Sequence, residues 1–109
     1  MARSFRVDVV SPEATLWSGD ATFIVARTPD GEIGIMADHE PLMGALITSA
    51  VHVEGADGTK TTIAVHGGFI QVLENQVTLL TDRAEVVKGD ADDARLAAEA
   101  LAAAADDEA

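Results

Sequence analysis

Residues 59–82 read TKTTIAVHGGFIQVLENQVTLLTD. Thr59–Val65 is dense in Thr, Ile and Val, the residue types that suit a pleated, half-buried strand. His66-Gly67-Gly68 interrupts it, and adjacent glycines predict either a bulge or a backbone approach too close for a side chain. Beyond them, Phe69–Glu74 and Gln76–Asp82 predict two strands joined at Asn75, with Val77, Leu79 and Thr81 alternating against Thr78 and Leu80. Extended, alternating sequence punctuated by turns sets the fold class of this stretch as β.

The pattern continues toward the N-terminus. Glu54-Gly55-Ala56-Asp57-Gly58 is turn chemistry, and Ala45–Glu54 before it is extended, with Ile47, Ser49, Val51 and Val53 on one side. Ala37-Asp38-His39-Glu40-Pro41-Leu42 reads as a loop, because the residue before a proline is pushed away from the helical region. Glu32–Met36 is a short strand, entered from the turn Thr28-Pro29-Asp30-Gly31. Asp20–Arg27 is a further strand, preceded by a short extended piece at Ala14–Trp17, and Phe5, Val7 and Val9 alternate in the first strand. Short strands at spacings of roughly 8–12 residues predict an all-β sandwich or flattened barrel over residues 1–88.

The periodicity changes after Gly89. Asp90, Asp92 and Asp93 suit an N-cap and first helical turn, and Ala94–Ala105 is rich in strong helix formers. Residues 89–109 are therefore expected to form one short Ala-rich helix with an acidic tail. Its large apolar residues are Leu96 and Leu101, a thin stripe, so the helix is expected to depend on docking.

The 109 residues are 48% apolar and 24% charged, the usage of a globular chain. Nineteen acids against seven bases give a net charge of −12, which disfavours nucleic acid and anionic lipid as partners. Residues 90–109 hold seven of those acids and one base, Arg95. The chain has no cysteine, hence no disulfide and no thiolate metal site. It has no apolar run of about 18 residues to span a bilayer, and its first residues pass straight into strand alternation instead of a signal-peptide block. No direct membrane insertion is expected.

Four blocks, Val7-Asp8-Val9-Val10-Ser11-Pro12, Gly31-Glu32-Ile33-Gly34-Ile35 with Asp38-His39-Glu40-Pro41-Leu42, Gly67-Gly68-Phe69-Ile70-Gln71-Val72, and Val77-Thr78-Leu79-Leu80 before Ala84-Glu85, together resemble the ε subunit of bacterial F-type ATP synthases. They occur in that family's order and spacing across about residues 5–101. The resemblance implies a mostly β fold, an N-terminal sandwich of about ten short strands followed by C-terminal helix. It implies a non-catalytic central-stalk subunit of the proton-translocating ATP synthase, bound to the γ subunit and the c-ring at the cytoplasmic face of the cell membrane, coupling ion-driven rotation to ATP synthesis. Such a part needs stiffness rather than reactive groups.

Glu32 resembles the family's acidic residue facing the c-ring; alone, an exposed turn acid contributes little. His39, Pro41, Leu42 and Met43 belong to the segment that in the family lies against γ and the ring. Gly31, Gly34, Gly67 and Gly68 are expected to be structural, since no phosphate-cradling pattern surrounds them. A metal site is not expected, because His39, His52 and His66 have no ligand spacing.

Some family members bind ATP through Ile/Leu-Asp-x-x-Arg-Ala on the first C-terminal helix, helped by an upstream glutamate. The matching residues are Glu85, Asp92 and Arg95, but Ala91 and Leu96 replace both flanking positions. No cofactor is expected, and these three residues are the nucleotide candidates the resemblance supplies. The family's second C-terminal helix has no counterpart before Ala109, so contact with the α/β catalytic head and inhibition of hydrolysis are expected to be weak or to work differently. Two other classes remain open on the residues alone. One is a stand-alone ligand-binding sandwich, which needs a pocket with converging polar groups; the other is a small enzyme built on His39 or His66 with a carboxylate.

Overall fold

The computed structural model describes residues 3–87, 97–101 and 103. Seven strands occupy most of that length: β1 (Phe5–Val10), β2 (Thr15–Thr28), β3 (Gly31–Ile35), β4 (Leu42–Ala45), β5 (Ser49–Gly55), β6 (Lys60–Leu73) and β7 (Gln76–Val87). Hydrogen-bonded neighbours run β1-β7-β6-β5-β2-β3, and β1 also pairs with β2, so the path β1-β7-β6-β5-β2 closes on itself. β1 and β7 are parallel; the other pairs are antiparallel.

Flattening of this ring gives two layers. β2 pairs with β1 through its first half, then with β5 and β3 through its second. β6 lies beside β5 in its first half and beside β4 in its second. β7 pairs with β1 only over Gln76–Leu80 and continues along β6 alone. One layer thus holds β3, the end of β2, β5, the start of β6 and the end of β7. The other holds the start of β2, β1, the start of β7, the end of β6 and β4.

This corrects the expected strand count: the described residues form seven continuous strands, not about ten. The two pieces expected at Ala14–Trp17 and Asp20–Arg27 are one strand, β2, and the two expected on either side of Gly67-Gly68 are one strand, β6. Ala45–Glu54, conversely, is not one strand. β4 and β5 lie in different layers, and Leu46–Thr48 carry the chain between them, with the Leu46 amide donating to the Gly68 carbonyl at 2.9 Å. Leu42, expected in a loop, begins β4, and Ile47 is partly exposed rather than aligned with buried Ser49, Val51 and Val53.

A strand that changes layer must change which side faces inward. In β2 the buried positions are Ala21, then Ile24 and Ala26, and the phase jumps at a register shift between Ala21 and Phe23. In β6 the residues that enter the core are Ile63 and Val65, then Ile70 and Val72, while buried Ala64 lies outside that cluster. The jump falls at Gly67 and Gly68, which have φ of 71° and 111°. A Cβ on Gly68 would lie 2.0 Å from the Leu80 carbonyl oxygen. Register with β7 is unbroken there, so the glycine pair marks a close backbone approach and not a bulge.

The interior is aliphatic: Val7, Val9, Ile24, Ile35, Val51, Ile63, Val65, Ile70, Val77 and Leu79 are fully enclosed, closed off by Phe5. Each such side chain contributes about 1.5–3 kcal/mol by burial. Buried Thr81 donates to the Val10 carbonyl at 3.0 Å, tying β7 to the end of β1. Residues 97–101 and 103 are helical, with Ala98 buried. Leu101 lines a cleft of about 400 Å³ with the β1–β2 turn and the end of β7, which places the helix against the sandwich.

Candidate functional site

β3, the connection 36–41 and β4 form one edge of the molecule, β3 closing one layer and β4 the other. The turn entering β3 is held by Thr28, whose hydroxyl donates to the Gly31 carbonyl at 3.0 Å and accepts from the Asp30 amide at 3.2 Å. Gly31 has φ of 127°, a conformation reserved for glycine. Glu32 stands directly opposite Arg27, with a 3.5 Å ion pair between exposed side chains. Gly34 is small because the Phe23 ring would lie 3.0 Å from any Cβ there.

At the far end of β3 the chain turns through Asp38, whose φ is 65°. The His39 amide donates to the Met36 carbonyl at 3.3 Å. His39 Nδ1 lies 2.7 Å from the Glu40 carbonyl oxygen, and since a carbonyl only accepts, Nδ1 carries the hydrogen in this bond. Pro41 is exposed, Leu42 packs partly on the core, and Met43 stands out from β4. Pro41, Leu42 and Met43 share a shallow groove of about 280 Å³ with Gln71, Val72 and Leu73. The structure therefore groups these three, while Glu32 lines a different concavity with Phe23, Val25, His52 and Lys60.

The outer face of the β4 layer carries residues that alternation alone did not single out. Met43, Phe69, Leu73 and Leu80 are 69, 56, 46 and 50% exposed. Register places Ala45, Phe69, Leu80 and Val10 in one row across β4, β6, β7 and β1. The signal was present in the sequence: Phe69-Ile70 and Leu79-Leu80 are apolar in both phases, whereas a strand with one wet face alternates. Large exposed apolar side chains in a row mark a surface that meets a partner.

Beside that row is a polar cluster. The Asp8 carboxylate accepts from the Ser18 hydroxyl, from Gln76 Nε2 at 2.8 Å and from Arg6 at 3.5 Å, bridging β2, β1 and β7. The Ser18 hydrogen bond, followed by those from Gln76 and Arg6, holds the Asp8 carboxyl below its ordinary 3.8 against a partial desolvation cost.

The histidines are separate. His52 Nδ1 meets the Thr62 hydroxyl at 3.3 Å and His66 Nδ1 the Thr48 hydroxyl at 2.8 Å. Among the described residues no group of three or more His, Asp or Glu is placed to hold a metal ion. Glu85 is exposed on β7 opposite Ala64, while Asp92 and Arg95 lie outside the described residues, as do the N-cap at 89–93 and Leu96.

Residues 4–87 match the family model of the ATP synthase delta/epsilon chain, beta-sandwich domain. The ATP synthase epsilon chain of Streptomyces avermitilis is 43% identical over 86 residues, 79% of this chain and 69% of that one. That of Nocardia farcinica is 43% identical over 95 residues, covering 85% and 73%. Among solved structures, a chain of the Euglena gracilis mitochondrial ATP synthase OSCP/F1/c-ring assembly superposes with a TM-score of 0.72 at 26% identity, over 76% of this chain and 53% of that one. A chain of the Tetrahymena thermophila mitochondrial ATP synthase central stalk/c-ring shares the fold, with a TM-score of 0.63 at 12% identity over 76% of this chain and 66% of its own. This chain thus spans about half the length of the Euglena chain and about two thirds of the Tetrahymena one. A family model spanning nearly the whole sandwich, and relatives of this identity over most of both chains, establish that the chain belongs to the ATP synthase delta/epsilon family.

Proposed function

We propose that this chain is a non-catalytic coupling part of the central stalk of a bacterial ATP synthase, peripheral at the cytoplasmic face of the membrane. Its β4-layer outer face seats on the γ subunit, and the β3–β4 edge meets the polar loops of the c-ring. The observation that carries the reading is the row Ala45, Phe69, Leu80 and Val10, with Met43 beside it, a dry patch on an otherwise strongly acidic chain. An interface core is depleted of charge and enriched in Phe and Met, as this row is. Among the described residues no helix is long and apolar enough to cross a membrane, so attachment through protein partners fits the chain.

A sandwich whose three longest strands run through both layers resists shear, because the layers cannot slide without breaking continuous backbone. Torque applied at the edge is then delivered to the outer face through hydrogen-bonded ladders. Glu32 would offer its carboxylate to a basic ring loop in exchange for, or shared with, Arg27. The test is binding of the chain to purified γ and c-ring. Phe69→Asp and Leu80→Asp, both at exposed positions, should weaken γ binding by about tenfold or more while leaving the unfolding midpoint nearly unchanged. Glu32→Lys should lower affinity for the ring. Unaltered binding by all three variants would overturn the proposal.

A further inference from the structure

Among the described residues other than glycine, three have left-handed backbone: Asp38, Glu74 and Asn75, with φ of 65°, 49° and 61°. Glu74 and Asn75 are neighbours in the β6–β7 turn, and Asp38, 37 residues before Asn75, meets that turn. The Asp38 amide donates to Asn75 Oδ1 at 2.6 Å, and Asn75 Nδ2 donates to Asp38 Oδ1 at 3.0 Å. The second Asp38 oxygen pairs with Arg3, and the Asn75 carbonyl accepts from the Arg6 amide at 2.9 Å. The β6–β7 turn is thereby fixed to β1, and the 36–41 connection is fixed to the β6–β7 turn.

Asn75 uses both ends of its amide on one residue. Its oxygen takes a backbone hydrogen and its nitrogen reaches a carboxylate, a bond strengthened by the charge. Neither contact depends on apolar packing, and both sit where the chain has just left β3 and is about to enter β4. Asp and Asn are the side chains best suited to hold left-handed backbone, so the lock and the turn geometry use the same two residues.

We infer that Asn75 is a positioning residue for the partner-facing segment: through Asp38 it holds residues 36–41 in the shape that presents His39, Pro41, Leu42 and Met43 to the rotor. This rests on the reading of the β3–β4 edge as a partner surface. Residues held rigid before contact need not be ordered during it, so the lock raises affinity without touching the partner.

The test exchanges the lock's parts and measures binding of the whole chain to a purified γ–c-ring subcomplex. Asn75→Gly keeps left-handed backbone accessible and deletes both bonds; Asn75→Asp keeps size and backbone preference but faces one carboxylate with another. Each should weaken binding about tenfold and speed hydrogen exchange of the Asp38 amide, with exchange in β1 and β5 unchanged. Adding Asp38→Asn to Asn75→Asp restores both bonds with the second reversed, the side-chain amide at position 38 now donating to the carboxylate at position 75, and affinity should return to within about twofold of the original chain. Failure of that pair to recover, or full-strength binding by Asn75→Gly, overturns the inference. His39→Ala and Met43→Asp separate the two failures. If these lower affinity while the Asn75 variants do not, the edge meets the partner and the lock is wrong; if these too are silent, the edge reading falls and takes the lock with it.

Discussion

Asp8 shows how much one side chain on the outside of a sheet can do. It lies half-buried on β1 and gathers donors from both neighbouring strands, Ser18 on β2 and Gln76 on β7, with Arg6 along its own strand. The pair of strands it joins includes the parallel β1–β7 contact, which no hairpin connects. Since its folded-state pKa lies below the ordinary 3.8, its contribution is present in full above that value and is lost as pH falls through the lower, folded-state value. Asp8→Asn should therefore lower stability by about 1 kcal/mol at neutral pH. The gap between variant and original chain, read from urea midpoints, should close on acidification below 3.8. A gap independent of pH would show that shape and not charge is what the site uses. Glu32, by contrast, forms an exposed ion pair with Arg27, so its removal is expected to act on binding and hardly on stability.

At the scale of elements, the layer-crossing strands are what make this a closed body. β6 turns at Gly67-Gly68 directly beside the Leu80–Asp82 stretch of β7, where the buried phase also shifts from Thr81 to Ala84. The close approach of Gly68 to the Leu80 carbonyl leaves no route for a side chain. Gly68→Ala should cost about 3 kcal/mol or more from forced backbone and a displaced ladder, lowering the thermal midpoint by roughly 10 °C or more. A midpoint within 2–3 °C of the original would contradict the close approach. The same crossings explain what could be read in advance. β1 and β5 each stay in one layer, so Phe5, Val7 and Val9, and Ser49, Val51 and Val53, follow simple alternation and were legible. β2 and β6 change phase midway, so a period-two reading breaks each into two. β4 was hidden because Pro41 just before it and Gly44 within it look like loop chemistry, yet a short edge strand tolerates both. Within the candidate site, the turn at Thr28–Gly31 was legible from Pro29 and Gly31. The Asn75–Asp38 lock was not, because no local pattern announces a contact across 37 residues.

For the whole molecule, the account is of a stiff plate with two working surfaces, an edge built on β3 and β4 and a face built on β4, β6, β7 and β1. None of Ala45, Phe69, Leu80 and Val10 is charged, so the net charge of −12 can steer encounter with basic loops without a charge standing in the row itself. The opposite outer face carries His52 and Thr62, bonded to each other across β5 and β6, and is expected to face away from γ. Because the chain has no cysteine, one introduced cysteine carries a unique label. A photo-crosslinker attached through Leu80→Cys, and separately through Thr62→Cys, in chain assembled into the ATP synthase compares the two faces directly. Capture of γ from position 80 and not from position 62 is the predicted result; capture from 62 alone, or from neither, would contradict the assignment of the β4-layer face to the rotor.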